Sequence, residues 1–316
     1  MITKISRIIK ENKRFLVASH ESPDGDAMAS TLALTNALLE MGKEVVAYNR
    51  DAVPADFTFL PGSERIVHHL DGLEPFDVGF VLDAGELRRA GSHLKECCTT
   101  LVNIDHHPFS EDFGSVYFVD ESASATGALI YRILKEMDHP ISSSVALCIY
   151  TAILADTGSF RYSNADPEAF SIAAEMVAAG VSPWDVASGL YESQDEKRLR
   201  LLGTVLNTLT VSGCGRYASV TATLDMMANT ETGPEYTDGF INYPRSIRGV
   251  EVALFFREVS PDHYKVGFRS KGRIDVGALA RELGGGGHHN ASGAMVQGAI
   301  EDVHLSVFTR LDSLLV

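Results

Sequence analysis

Cysteine is scarce in this 316-residue chain. The four present, Cys97, Cys98, Cys148 and Cys214, show no C-x-x-C spacing, and the adjacent pair is ill-suited to an ordinary bridge. That excludes a zinc ribbon and a disulfide scaffold, and it favours a reducing compartment. Long apolar runs are missing too. None approaches the roughly 20 residues of a membrane span. The opening Met1-Ile2-Thr3-Lys4-Ile5-Ser6-Arg7 has neither a signal-peptide core nor a cleavage site, so a cytoplasmic protein with no membrane partner is expected. A broad basic surface is also lacking: the formal charge of −15 disfavours binding to long duplex nucleic acid. There is no internal repeat and no low-complexity tract apart from Gly284-Gly285-Gly286-Gly287.

What remains is an ordinary globular composition, 45% hydrophobic and 22% charged in 34.2 kDa, enough for about two domains. Residues 1 to 190 hold 14 Lys and Arg against 27 Asp and Glu, whereas residues 191 to 316 hold 13 against 15. An acidic first part suits cations, and a nearly balanced second part can meet an anion. Most of these charges need only be a solvated surface. The element pattern predicts an α/β fold: a parallel-sheet domain with flanking helices over 1–187, a linker helix region over 188–214, and a smaller α/β domain over 215–316, with a cleft between the domains.

One stretch organises the first part. Phe15-Leu16-Val17-Ala18 reads as a buried parallel strand and Ala27 to Met41 as a helix packed back on it. The turn between them carries His20, Asp24 and Asp26, at the strand end where open α/β sheets bind ligands. Pro23 fixes one backbone angle there, and Gly25 is expected to allow a strained one. Asp24 and Asp26 flank that glycine and can diverge to different cations. The plain alternative is a turn in which Asp26 caps the helix.

The same design recurs. Val78 to Leu82 is an apolar run ending in Asp83, and Leu101 to Ile104 leads into Asp105-His106-His107 before Pro108 stops the strand. A helical run from Val145 to Leu154 leads into Asp156-Thr157-Gly158. Oxygen and imidazole donors without thiolate suit manganese, magnesium, iron, cobalt or zinc. If Asp83 bridges, His20 and Asp24 complete one site, and Asp26, His106 and Asp156 complete another. Either ring of the His106-His107 pair is available to point inward. Two cations about 3.5 to 4 Å apart would then activate water against a phosphate ester.

With these residues in view, the chain resembles the DHH phosphoesterases over nearly its whole length, through His20-x-x-x-Asp24-x-Asp26, Asp83, Asp105-His106-His107 and Asp156-Thr157-Gly158 in order. The resemblance implies a two-manganese site, with Mg2+ or Co2+ as substitutes. It also implies that His107 faces the phosphate and that Asp105 supports a histidine. In the second domain, Gly285-Gly286-Gly287-His288-x-Asn290-Ala291-x-Gly293 is similar to the signature of the DHH-associated domain. Gly286, Gly287 and His288 would then bind substrate phosphate, joined by Arg269 in Phe268-Arg269-Ser270-Lys271. Without that context a glycine run is a flexible loop and a lone arginine a solvated side chain.

The two-domain length is most similar to the group that degrades nanoRNA (very short RNA) as oligoribonucleases and dephosphorylates 3'-phosphoadenosine 5'-phosphate (pAp). The substrate partner would be a short oligonucleotide or nucleotide: nanoRNA, pApA or pAp. Its 5' phosphate would sit on the second domain and its scissile phosphate at the metals. Cyclic di-AMP hydrolysis, an inorganic pyrophosphatase or polyphosphatase, and a noncatalytic nucleotide sensor are the competing expectations. The glycine-histidine motif speaks against pyrophosphatase, and the complete ligand set against the sensor. A homodimer is compatible with the sequence.

Overall fold

The computed structural model describes residues 1–287 and 289–315. It divides into two compact units, Met1–Ser193 and Gln194–Val316. The division falls inside the stretch read as a linker.

The first unit opens with α1 (Ile2–Glu11), whose Ile5 and Ile9 are buried one turn apart. Then come β1 (Arg14–Ser19), α2 (Gly25–Glu40), β2 (Glu44–Tyr48), β3 (Phe76–Leu82), two single-turn helices, α3 (Leu87–Ala90) and α4 (Leu94–Cys97), β4 (Cys98–Asp105) and β5 (Val116–Val119). Four helices finish it: α5 (Thr126–Glu136), α6 (Ser143–Asp156), α7 (Pro167–Ala178) and α8 (Pro183–Tyr191). The sheet is parallel throughout, in the order β2-β1-β3-β4-β5. Its strand order reverses between β1 and β3, the switch point where doubly wound sheets open a crevice.

Alternation along the strands splits the core. Phe15, Val17, Phe80, Leu82, Val102 and Ile104 point to one face with α2, α5 and α6, and Leu16, Ala18, Val81 and Leu101 point to the other with Leu87 and Leu94. Phe15 and Phe80 stack with ring centroids 6.0 Å apart. Each is fully buried, worth about 1.5–3 kcal/mol. From Gly25 to Leu38 every residue of α2 is buried, because the sheet covers one side and α5 and α6 the other.

Register carries this packing to the site. Ser19 pairs with Leu82, and Leu82 with Ile104, so the next residue on each strand, His20, Asp83 and Asp105, stands in one row. Two glycines let the helices close over that row. A Cβ on Gly25 would lie 2.5 Å from the Ala155 Cβ, and one on Gly127 would lie 2.4 Å from the Ala152 Cβ. Gly25 is therefore required by close approach of α6; the left-handed backbone expected there is found instead at Ser22 (φ 49°) and Asp83 (φ 57°).

The second unit contains α9 (Glu196–Leu206), β6 (Thr210–Val211), β7 (Tyr217–Ala222), α10 (Leu224–Asn229), α11 (Asn242–Ser246), β8 (Val252–Ser260), β9 (His263–Ser270), α12 (Val276–Glu282), β10 (Gly286–Gly287), β11 (Ala291–Gln297) and α13 (Ile300–Leu314). They build a six-stranded sheet, β10-β11-β9-β8-β7-β6, in which only β7 and β8 run parallel. Leu254, Phe256, Val266 and Phe268 pack with Leu279 and Val307 on one face. Val220 and Ala222 pack with Leu201, Val205 and Phe240 on the other. The helix read as a connector, α9, is thus part of this unit's core.

Candidate metal centre

The row at the strand ends brings the first-unit residues together. His20 Nε2 lies 3.8 Å from Asp24 Oδ1 and 3.8 Å from Asp83 Oδ2. On the other side of Asp83, His106 Nε2 lies 3.5 Å from Asp83 Oδ1, 3.6 Å from Asp26 Oδ2 and 3.7 Å from Asp156 Oδ2. Asp83 Oδ2 faces His20, whereas Oδ1 faces both His106 and His107. Asp24 and Asp26 diverge across Gly25 toward His20 and His106.

These separations are too long for hydrogen bonds. They do match the spacing of two ligands on one ion: donors about 2.1 Å from a cation and about 110–130° apart stand about 3.4–3.8 Å from each other. The tautomers agree. His20 Nδ1 donates to the Glu21 carbonyl at 2.7 Å and His106 Nδ1 to the Ala123 carbonyl at 3.2 Å, so Nε2 is the ring nitrogen left to bind a cation on each. Charge agrees too. Burial and the neighbouring carboxylates Asp83 and Asp156 push Asp26 well above the ordinary range. Burial also raises Asp156, to about 6, with His106 opposing and Asp83 adding to the rise. A divalent cation offsets this gathered negative charge, so the residues present fit such an ion.

Each carboxylate is aimed by its neighbours. Asp24 caps α2, accepting from the Ala27 amide at 3.1 Å. Asp26, for which capping α2 was the plain alternative to holding a metal, lies inside the first turn and accepts from Ser30 Oγ, from the Thr126 amide at 2.6 Å and from the Gly127 amide at 3.1 Å. It thereby caps α5, whose own preceding residue, Ala125, has no side-chain acceptor. Asp156 ends a helix, whereas His20, Asp83 and His106 follow strands, and Asn164 Nδ2 holds its Oδ2 at 3.1 Å.

Asp105 is fully buried and does not face the Asp83 oxygens. Its Oδ1 accepts from the His106 amide (2.7 Å), the His107 amide (3.0 Å) and His107 Nδ1 (2.8 Å). Its Oδ2 accepts from the Gly85 amide and Ser110 Oγ, both at 2.7 Å. Against the cost of burial, these bonds hold Asp105 well below the usual carboxylate range. Burial alone would lower His107, but Asp105 and Asp83 push it up to about 11. Its Nδ1 stands 3.3 Å from Asp83 Oδ1.

In the second unit, Arg269 is half-buried on β9 opposite Ala291, and Gly286 and Gly287 pair with Gly293 and Ser292. The glycine run is an edge strand here. A Cβ on Gly285 would lie 2.1 Å from the Gly293 carbonyl oxygen, and one on Gly287 would lie 2.6 Å from the Ser292 Cα, with φ +131° besides. The sequence-based expectation for His288 falls outside the described residues.

The residues that aim the ligand candidates, Ser30, Thr126 and Asn164, and Ser110, which holds Asp105, were not expected. One signal did exist: a helix starting at Thr126 behind Ala125 has no local cap and needs an acceptor from elsewhere.

Residues 14–153 match the DHH family, N-terminal domain, and residues 220–309 match the DHHA1 domain. The chain is 34% identical over 282 residues to the bifunctional oligoribonuclease and PAP phosphatase NrnA of Thermus thermophilus, covering 89% of this chain and 84% of that protein. It is 28% identical to the Bacillus subtilis protein of the same name, covering 94% and 93%. A solved exopolyphosphatase-related protein from Bacteroides fragilis superposes with a TM-score of 0.92 at 30% identity, covering 98% of this chain and 94% of that one. These matches establish that the chain belongs to the DHH family of phosphoesterases, with a DHH domain followed by a DHHA1 domain.

Proposed function

We propose that this protein hydrolyses phosphate esters of short nucleotides, namely nanoRNA, pApA and pAp, with manganese as the cation. The observation that carries the reading is the Asp83 carboxylate, 1% exposed, with one oxygen toward His20 and the other toward His106. His20, Asp24 and Asp83 would hold one ion, and Asp26, His106 and Asp156, with Asp83, would hold the second. When bound, two divalent cations supply the Lewis acidity that makes water nucleophilic near neutral pH and offsets charge on the phosphoryl group. Asp105 fixes the His107 ring through Nδ1, and His107 turns its other ring nitrogen to a phosphoryl oxygen. The second unit binds a terminal phosphate of the substrate through Arg269, the backbone of Gly286 and Gly287, and His288. The oligoribonuclease and PAP phosphatase names of the relatives support this substrate class. Among the described residues no helix is long and apolar enough to cross a membrane, and all four cysteines are free thiols, which suits the cytoplasm.

The test is manganese-dependent turnover of pApA, a four-nucleotide RNA, a long RNA, pAp, cyclic di-AMP and pyrophosphate. Preference for pApA, the short RNA or pAp is expected. Hydrolysis confined to pyrophosphate, or equal turnover of pApA and the long RNA, would refute the reading.

A further inference from the structure

Two carboxylates of the metal centre meet on one residue. Thr126, the first residue of α5, is fully buried; its amide donates to Asp26 Oδ2 at 2.6 Å, and its hydroxyl donates to Asp83 Oδ1 at 3.1 Å. The hydroxyl has a single proton, and that proton is directed at the one Asp83 oxygen that also faces His106 and His107. A carboxylate bonded at one oxygen cannot turn about its Cβ–Cγ axis without losing that bond. With Oδ1 tethered, Oδ2 is left toward His20. Packing keeps the tether in place: Gly127 meets Ala152 with no room for a Cβ, so the start of α5 cannot slide along α6. Both Asp26 and Asp83 are 1% exposed, and water has little access to replace the hydroxyl.

We infer that Thr126 is a positioning residue that sets Asp83 as the bridge between two cations. The inference rests on the two-cation reading above. Thr126 does not touch the reacting atoms: it fixes how one carboxylate divides its oxygens between two ions, and it ties that division to Asp26. Loss of an outer partner of this kind typically weakens metal affinity about 10- to 100-fold. The backbone bond to Asp26 survives any side-chain substitution, so the hydroxyl can be tested alone.

The experiment is calorimetric titration of the full chain with manganese(II), followed by electron paramagnetic resonance of the loaded protein. Wild type and Thr126→Ser are expected to bind two ions and to show the exchange-coupled signal of a pair sharing a carboxylate. Thr126→Val, which has the same shape without the hydroxyl, is expected to bind about 10- to 100-fold more weakly, with the signal shifting to isolated ions. Thr126→Ala deletes the same hydroxyl with less steric demand and serves if the valine variant does not fold. Wild-type affinity and a coupled spectrum in the folded hydroxyl-free variants would overturn the inference, as would Thr126→Ser behaving like Thr126→Val. If the wild type itself bound no manganese pair, the two-cation reading would fall first and this role with it.

Discussion

Replacing Asp105 with asparagine tests the hub beneath the site, and the bond pattern sets the cost. Oδ1 can keep its three donors, the amides of His106 and His107 and the His107 ring. The new Nδ2 group takes the place of Oδ2 and faces the Gly85 amide, donor against donor. The Ser110 hydroxyl can turn to accept, but the Gly85 amide is stranded. An unsatisfied amide costs about 1–3 kcal/mol, and reducing the charge-assisted bond to His107 to a neutral one costs about 1 kcal/mol more. We therefore expect Asp105→Asn to lose about 2–4 kcal/mol of unfolding free energy in urea, measured on metal-free protein. The pH dependence follows from the depressed carboxyl. Its stabilisation is fully present above the unfolded-state value of about 4, and it fades as pH falls through the lower folded-state value. The gap between wild type and variant should narrow by about 1.4 kcal/mol for each pH unit below about 4. A loss under about 1 kcal/mol at pH 7, or a gap that does not narrow in acid, would refute the assignment of Asp105 as an ionised hub.

Two other substitutions separate packing from binding. Gly25→Ala forces a methyl to 2.5 Å from the Ala155 Cβ, so it should destabilise the chain by about 1–3 kcal/mol in urea melts; an unchanged midpoint would mean that α6 can yield. Arg269→Ala should raise KM for pApA more than it lowers kcat and leave manganese binding unchanged, and unaltered kinetics would remove it from the substrate site.

The parallel sheet was legible because buried strands read as apolar runs, and each of β1, β3 and β4 leads into a chemically loaded residue, His20, Asp83 or Asp105. Once the strands are parallel and in register, those residues must share one edge, so the row at the site was readable without coordinates. Other features depend on contacts that no local pattern encodes. Asp26 looked like a helix cap because it stands beside a helix start, but its acceptors serve α5, 100 residues further on. Gly25 looked like a turn residue, but its reason is the Ala155 methyl on α6. Strand β11 went unread because Gly293 and the glycine run beside it obscure the alternation, and the pairing with β9 supplies what propensity does not. Thr126 and Asn164 carry no motif, and only the folded chain shows which carboxylates they hold.

The central claim is a pair of ions sharing Asp83, and it is tested most directly by measuring bound manganese and pApA turnover for wild type and Asp83→Ala side by side. The account predicts two manganese ions per wild-type chain with hydrolysis of pApA, and a folded variant that neither retains the pair nor turns over substrate. A folded Asp83→Ala protein with wild-type turnover would contradict it.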